Sequence, residues 1–135
     1  DHSFSFDARR DSPDVVILDY RYGNSRQPGV RASEDELKSG DVGQTTDIYG
    51  KMLRGDSLFV KWRIKDTGEI IEDTVDLRGV LPANITDHRI HFVIRRAKLY
   101  VYLVSPDRRA ANDPTGPLRR FSYLKVSLIY PTNTK

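Results

Sequence analysis

The chain has no cysteine, which excludes a disulfide framework, thiol catalysis and any zinc site built on sulfur. It also lacks any apolar run approaching the roughly 20 residues that a membrane-spanning helix needs. There is no P-loop, no Gly-rich dinucleotide fingerprint, no GxSxG elbow and no HExxH helix, so the common catalytic signatures are missing. No repeat of solenoid length is present. Histidine is scarce: of three, His2 stands near the start, while His88 and His91 are three apart. On a strand that spacing sends the two rings to opposite faces, a poor arrangement for one metal ion. No metal and no cofactor are expected.

What is present describes a globular domain. The 38% hydrophobic and 30% charged content is too apolar for a disordered chain, and 135 residues suffice for one domain with its own core. Formal net charge is only +3, yet it is unevenly spread. Residues 1–88 carry 12 basic and 17 acidic side chains, whereas residues 89–135 carry 10 basic and 2 acidic ones. The two parts of the chain therefore offer opposite fields. The sequence begins at Asp1 and not at Met, so a processed or trimmed chain is expected, the absence of a leader or lipid-attachment cysteine is uninformative, and composition does not decide the compartment.

Residues 1–14 mix Ser, Asp and Arg around Phe4 and Phe6 and end at Ser12-Pro13; they predict a flexible N-terminal tail. A single domain is expected over 15–135. Val15 to Tyr22 is β-branched and aromatic, with Gly23-Asn24 as a turn, and predicts the first strand. Between Arg26 and Thr46 the chain is polar; Ser33 with Glu36 forms a capping box and Gly40 sits at a C-cap, predicting one short helix. From Ser57 to Leu77 apolar residues alternate on either side of Asp66-Thr67-Gly68. The pairing Ile64 with Ile71, Val60 with Val75 and Leu58 with Leu77 joins one apolar face, sets Arg63 opposite Glu72 and leaves Trp62 facing Asp73. A second hairpin, Arg89 to Val104, pairs Ile90, Phe92 and Ile94 with Leu103, Val101 and Leu99 around Arg96-Ala97, and turns His91, Val93, Tyr100 and Tyr102 to the other face. A polar loop, Asp107 to Arg120, precedes a last strand from Phe121 to Tyr130. The fold class is all-β: an antiparallel β-sandwich or open barrel with one short helix.

The residues leave more than one function open. Arg95, Arg96, Lys98, Arg108, Arg109, Arg119 and Arg120 interleave with Tyr100, Tyr102 and Tyr123, a combination that can hold single-stranded nucleic acid. The same residue types are enriched where one protein anchors on another. Glu72-Asp73 and Glu34-Asp35-Glu36 read as solvated acidic faces and not as acid/base pairs.

At Gly55-Asp56-Ser57-Leu58-Phe59-Val60-Lys61-Trp62-Arg63, Thr67-Gly68, Glu72 to Arg78, Leu81-Pro82 and Leu99-Tyr100-Val101-Tyr102-Leu103, the sequence resembles small bacterial immunity proteins. These are the periplasmic, often lipid-anchored partners of type VI secretion lipase effectors. The likeness runs from about Val15 to Val104. It implies a protein without catalysis that binds a lipase or phospholipase effector and protects the producing cell from it. The expected partner is that effector, with no nucleic acid, and with membrane contact only through an N-terminal lipid anchor. Gly55-Asp56-Ser57-Leu58 is not an esterase signature here, because a GDSL hydrolase needs a larger α/β fold and a distal Asp-x-x-His. Charged strings placed where a fold needs only a connection give the candidate partner-binding residues: Glu34, Asp35, Glu36 and Asp41 in one segment, Arg95, Arg96 and Lys98 in another, then Arg108 and Arg109. The alternatives are a basic-groove nucleic-acid or carbohydrate-binding module and a small hydrolase centred on Ser57.

Overall fold

A computed structural model describes residues 1–24, 28–108, 118, 121 and 123–131. The elements in chain order are β1 (His2–Asp7), α1 (Ala8–Asp11), β2 (Val15–Gly23), β3 (Pro28–Arg31), α2 (Glu34–Ser39), β4 (Thr45–Gly50), β5 (Ser57–Ile64), β6 (Ile70–Asp76), β7 (Arg89–Arg95), β8 (Lys98–Arg108) and β9 (Leu124–Tyr130). They form two open sheets, ordered β4-β1-β7-β8-β9 and β3-β2-β5-β6. All pairings are antiparallel except that of β1 with β7. The all-β sandwich expected from the sequence is the architecture found. There are two short helices, α2 where the capping box placed it and the four-residue α1.

The expected N-terminal tail is instead an interior strand. In β1 the order His-Ser-Phe-Ser-Phe-Asp alternates with period two, so Phe4 and Phe6 enter the space between the sheets while Ser3 and Ser5 face outward. The short polar residues between the phenylalanines conceal this pattern in the composition. The β1–β7 pairing also joins residues some 86 positions apart, Ser3 with Arg89 and Phe6 with Phe92, and no local signal announces such a contact.

Aromatic rings fasten the sheets together. Phe4 stacks on Tyr22 of the other sheet at 4.9 Å between centroids, Phe6 meets Tyr20 edge-on at 4.9 Å, and Phe6 stacks on Phe92 at 4.6 Å. Such pairs are each worth about 0.5–1.5 kcal/mol beyond area burial. Trp62, with no exposed surface, fills the same core, and its indole Nε1–H donates to the Arg96 carbonyl at 2.6 Å. That bond ties β5 to the β7–β8 turn across the sandwich.

The β7–β8 hairpin has the expected register, with Ile90, Phe92 and Ile94 opposite Leu103, Val101 and Leu99. The β5–β6 hairpin is slipped by two residues from the expected one. Trp62 opposes Ile71, Leu58 opposes Val75, Lys61 opposes Glu72 and Asp73 lies opposite Val60. A two-residue slip preserves the faces. Its cause is the turn, in which Ile64 N–H donates to Glu69, and Gly68 N–H, with φ of 74°, donates back to Ile64. Asp73 occupies a half-buried rim position and accepts from the Tyr130 hydroxyl at 2.8 Å.

On the outer face of the five-stranded sheet the aromatic set builds a second, smaller core: Val93, Tyr102 and Val104 pack with Leu118 and Phe121. Phe121 therefore covers this face ahead of β9 and does not begin the last strand, which starts at Leu124. Asp107 and Arg108, expected in a loop, extend β8.

Candidate partner-binding site

Helix α2 is held firmly and buries none of its residues. Ser33 Oγ accepts from Glu36 N–H at 3.1 Å and Glu36 Oε1 accepts from Ser33 N–H at 3.0 Å, so the capping box closes at both ends. The second Glu36 oxygen accepts from Gly43 N–H at 2.7 Å. The Gly43 N–H first, and then Ser33, hold the Glu36 carboxyl below its ordinary pKa. Gly40, in the left-handed region with φ of 73°, closes the C-terminus. Glu36 is thus a positioning residue of the segment. Glu34, Asp35 and Asp41 remain as exposed carboxylates whose side chains pair with nothing among the described residues. Beside them Leu37 is 44% exposed.

The Arg95 to Lys98 turn divides in the same way. Arg96 forks onto Asp66 at 3.0 and 3.2 Å, its N–H donates to Asp14 Oδ2 at 3.2 Å, and its carbonyl takes the Trp62 bond. These contacts clasp the turn to the opposite sheet, and the Asp66 carboxylate raises the Arg96 pKa further. Arg95 and Lys98 oppose one another in the ladder, both exposed. Like charges so placed are mutually unfavourable, and neither has an ion-pair partner among the described residues.

The register decides which expected residues share a surface. Asp7 pairs with Thr45, β1 runs parallel to β7, and Gln44 brackets Ile17 with bonds of 2.8 and 3.0 Å. The exit of α2 and the Arg95–Lys98 turn therefore lie at one end of the sandwich. Arg108 stands ten residues along β8 from Lys98, roughly 30 Å at about 3.3 Å per residue, so it belongs to the other end. Arg109 lies outside the described residues, as do Arg119 and Arg120.

Two constellations resemble hydrolytic sites and fail on geometry. Ser5 Oγ is 2.7 Å from His91 Nδ1, and His91 Nε2 is 2.8 Å from Asp11 Oδ2. An ionised carboxylate only accepts, so Nε2 carries the hydrogen and Nδ1 accepts from the Ser5 hydroxyl. Yet Ser5 and His91 have no exposed surface, and Phe121 stands edge-on over the imidazole at 5.3 Å. β1 is paired on both sides, leaving its N–H groups in the ladders and none for an oxyanion. The relay pins α1 to the sheet. Its members are 80 and 86 residues apart, which is why no spacing in the sequence betrays it. Ser57, the other candidate, lies at the start of β5 in a cleft lined by Asp56, Thr74, Val75, Asp76 and Arg78. No histidine lines that cleft.

Tyr102, one of the rings in the basic and aromatic combination weighed for the alternative nucleic-acid reading, is buried in the second core. No group of three or more potential metal ligands occurs among the described residues, and none of their helices is long and apolar enough to cross a membrane. No family model matches the sequence, and comparisons with curated proteins and with solved structures give no match.

Proposed function

We infer that the protein acts by binding: an immunity protein that inhibits a type VI secretion lipase or phospholipase effector in the periplasm. The observation that carries this reading is α2, a segment fixed at both ends that contributes nothing to the core and presents Glu34, Asp35 and Asp41 to solvent. A rigid connection loses little entropy on docking, so its charges act as preorganised recognition groups. Opposite charge on the effector would speed encounter and set register. The resemblance around Gly55 to Arg63 points to the same class of partner. Arg95 and Lys98, at the same end, are the second contact group, able to meet carboxylates.

The test is charge reversal. Where the neighbouring reading frame encodes a lipase effector, the double variant Glu34→Lys/Asp35→Lys should weaken binding to it by about 2 kcal/mol or more, the size of a hot-spot loss, while its thermal midpoint stays near that of the parent. Unchanged affinity in this variant and in Arg95→Glu/Lys98→Glu would place the interface elsewhere.

A further inference from the structure

The Gly55-Asp56-Ser57-Leu58 string has no catalytic partner, yet each of its residues has a definite place. A Cβ on Gly55 would stand 2.4 Å from the Tyr22 ring, so only glycine fits there. Gly55 N–H donates to the Tyr22 hydroxyl at 3.0 Å, and that hydroxyl in turn lies 2.6 Å from His2 Nε2. Leu58 is fully buried in the core. Between them the chain backbone is locked as well: Asp56 N–H donates to Gly23 at 3.1 Å and its carbonyl accepts from Leu77 at 2.9 Å.

The Asp56 side chain is the exception. Its Oδ1 is buried and has no hydrogen-bond partner, the one such side-chain atom among the described residues. A buried carboxylate oxygen left without a donor is unfavourable. The same residue lines an open cleft of about 260 Å³ with Ser57, Thr74, Val75, Asp76 and Arg78. The cleft offers two hydroxyls and two carboxylates, against one guanidinium. That guanidinium is already committed, since Arg78 forks onto Asp76 at 3.0 and 2.9 Å. The Arg78 side chain and backbone N–H hold the Asp76 carboxyl down at about 2. Arg54, next to the string, donates to the Pro82 carbonyl at 2.7 Å. Asp56 feels the Arg78 charge only at a distance, and its Oδ1 has no hydrogen-bond donor.

We propose that this cleft is a receptor for a single organic cation, a guanidinium or primary ammonium group, with Asp56 as its counter-ion and Ser57 and Thr74 as hydrogen-bond acceptors. A carboxylate turns easily about its terminal torsion, which brings Oδ1 to the cleft once a donor arrives. The planar fork of a guanidinium suits a carboxylate flanked by hydroxyls better than an ammonium does. With two carboxylates, one of them occupied by Arg78, the donor set is short of what a divalent cation takes. Asp56 and Ser57 lie where β5 meets Gly23, whereas Gln44 reaches Ile17 near the other end of β2. The cleft is therefore a site separate from α2, and it stands or falls independently of the inhibitor reading.

The experiment is an amide NMR titration of the whole protein with N-acetyl-arginine methylamide, N-acetyl-lysine methylamide, the neutral citrulline analogue and calcium chloride. The expected result is saturable shifts at Asp56, Ser57, Asp76 and Arg78 with the arginine probe, weaker ones with lysine and none with citrulline. Asp56→Asn and Asp56→Ala should each weaken the arginine response at least tenfold while the thermal midpoint holds or rises. A midpoint that falls in both variants makes Asp56 a structural residue and overturns the proposal. So do shifts seen only with calcium, equal shifts with citrulline, or no saturable shift at these amides.

Discussion

Arg96 shows how one residue serves the fold at a local cost. It takes φ of 55° at the first position of the two-residue β7–β8 connection, where glycine is the usual occupant of a type II′ turn. Left-handed backbone costs a non-glycine residue about 1–2 kcal/mol, while a solvent-exposed ion pair such as Arg96 with Asp66 is screened and returns little. Its backbone carbonyl, which receives the Trp62 bond, is available to any residue. Arg96→Gly is therefore expected to leave the unfolding free energy unchanged or to raise it by about 0.5 kcal/mol, checked by denaturant melts; a loss above 1 kcal/mol would mean that the guanidinium clasp outweighs the strain. His2 supplies the pH dependence. Burial first, and the N-terminal charge second, lower its pKa from 6.5. The Tyr22 hydroxyl, which accepts from Gly55, lies 2.6 Å from His2 Nε2, and protonation puts a charge on a ring buried beside it. A base whose folded pKa is depressed contributes stability that is complete above 6.5 and lost as pH falls through the lower folded value. His2→Gln should flatten the decline in stability from pH 7 to 5 relative to the parent. Parallel pH profiles for the two proteins would deny His2 that role.

Among the elements, α2 separates holding from recognition. Glu36→Ala removes the carboxylate that caps Ser33 and Gly43, and should cost about 1 kcal/mol of stability and loosen binding through disorder of the segment. The Glu34 and Asp35 reversal should act on binding alone. If Glu36→Ala leaves both melting and affinity untouched, the segment is not fixed by its caps. This helix was legible because Ser33, Glu36 and Gly40 signal through neighbours three and four positions away. The strand pattern of β5 and β7 was legible because apolar alternation is local. β1 was not, since its serines lower the apolar content and its place depends on β7. The two-residue slip at Asp73 was also hidden, because both registers match the same faces and only the Lys65 to Gly68 turn chooses between them.

Across the whole molecule, the rings of Phe4, Phe6, Tyr20, Tyr22 and Phe92 make the two sheets one body, and the register sorts the charged residues to opposite ends of it. The expected site residues were chosen from strings of charge. Such strings do not tell an engaged side chain from a free one: the side chains of Glu36 and Arg96 have partners within the fold, whereas those of Glu34, Asp35, Asp41, Arg95 and Lys98 have none among the described residues. Sequence patterns show where charge accumulates, and only long-range packing shows which charges are left for a partner. The fold also encloses the Ser5–His91–Asp11 relay; the function proposed for the protein is to block catalysis in another molecule. The direct measurement is fatty-acid release from phospholipid vesicles by a phospholipase effector taken from the neighbouring reading frame, titrated with the protein itself. Release should stop near one equivalent, and the protein alone should release nothing. Undiminished release at a large excess, or release by the protein alone, would contradict the account.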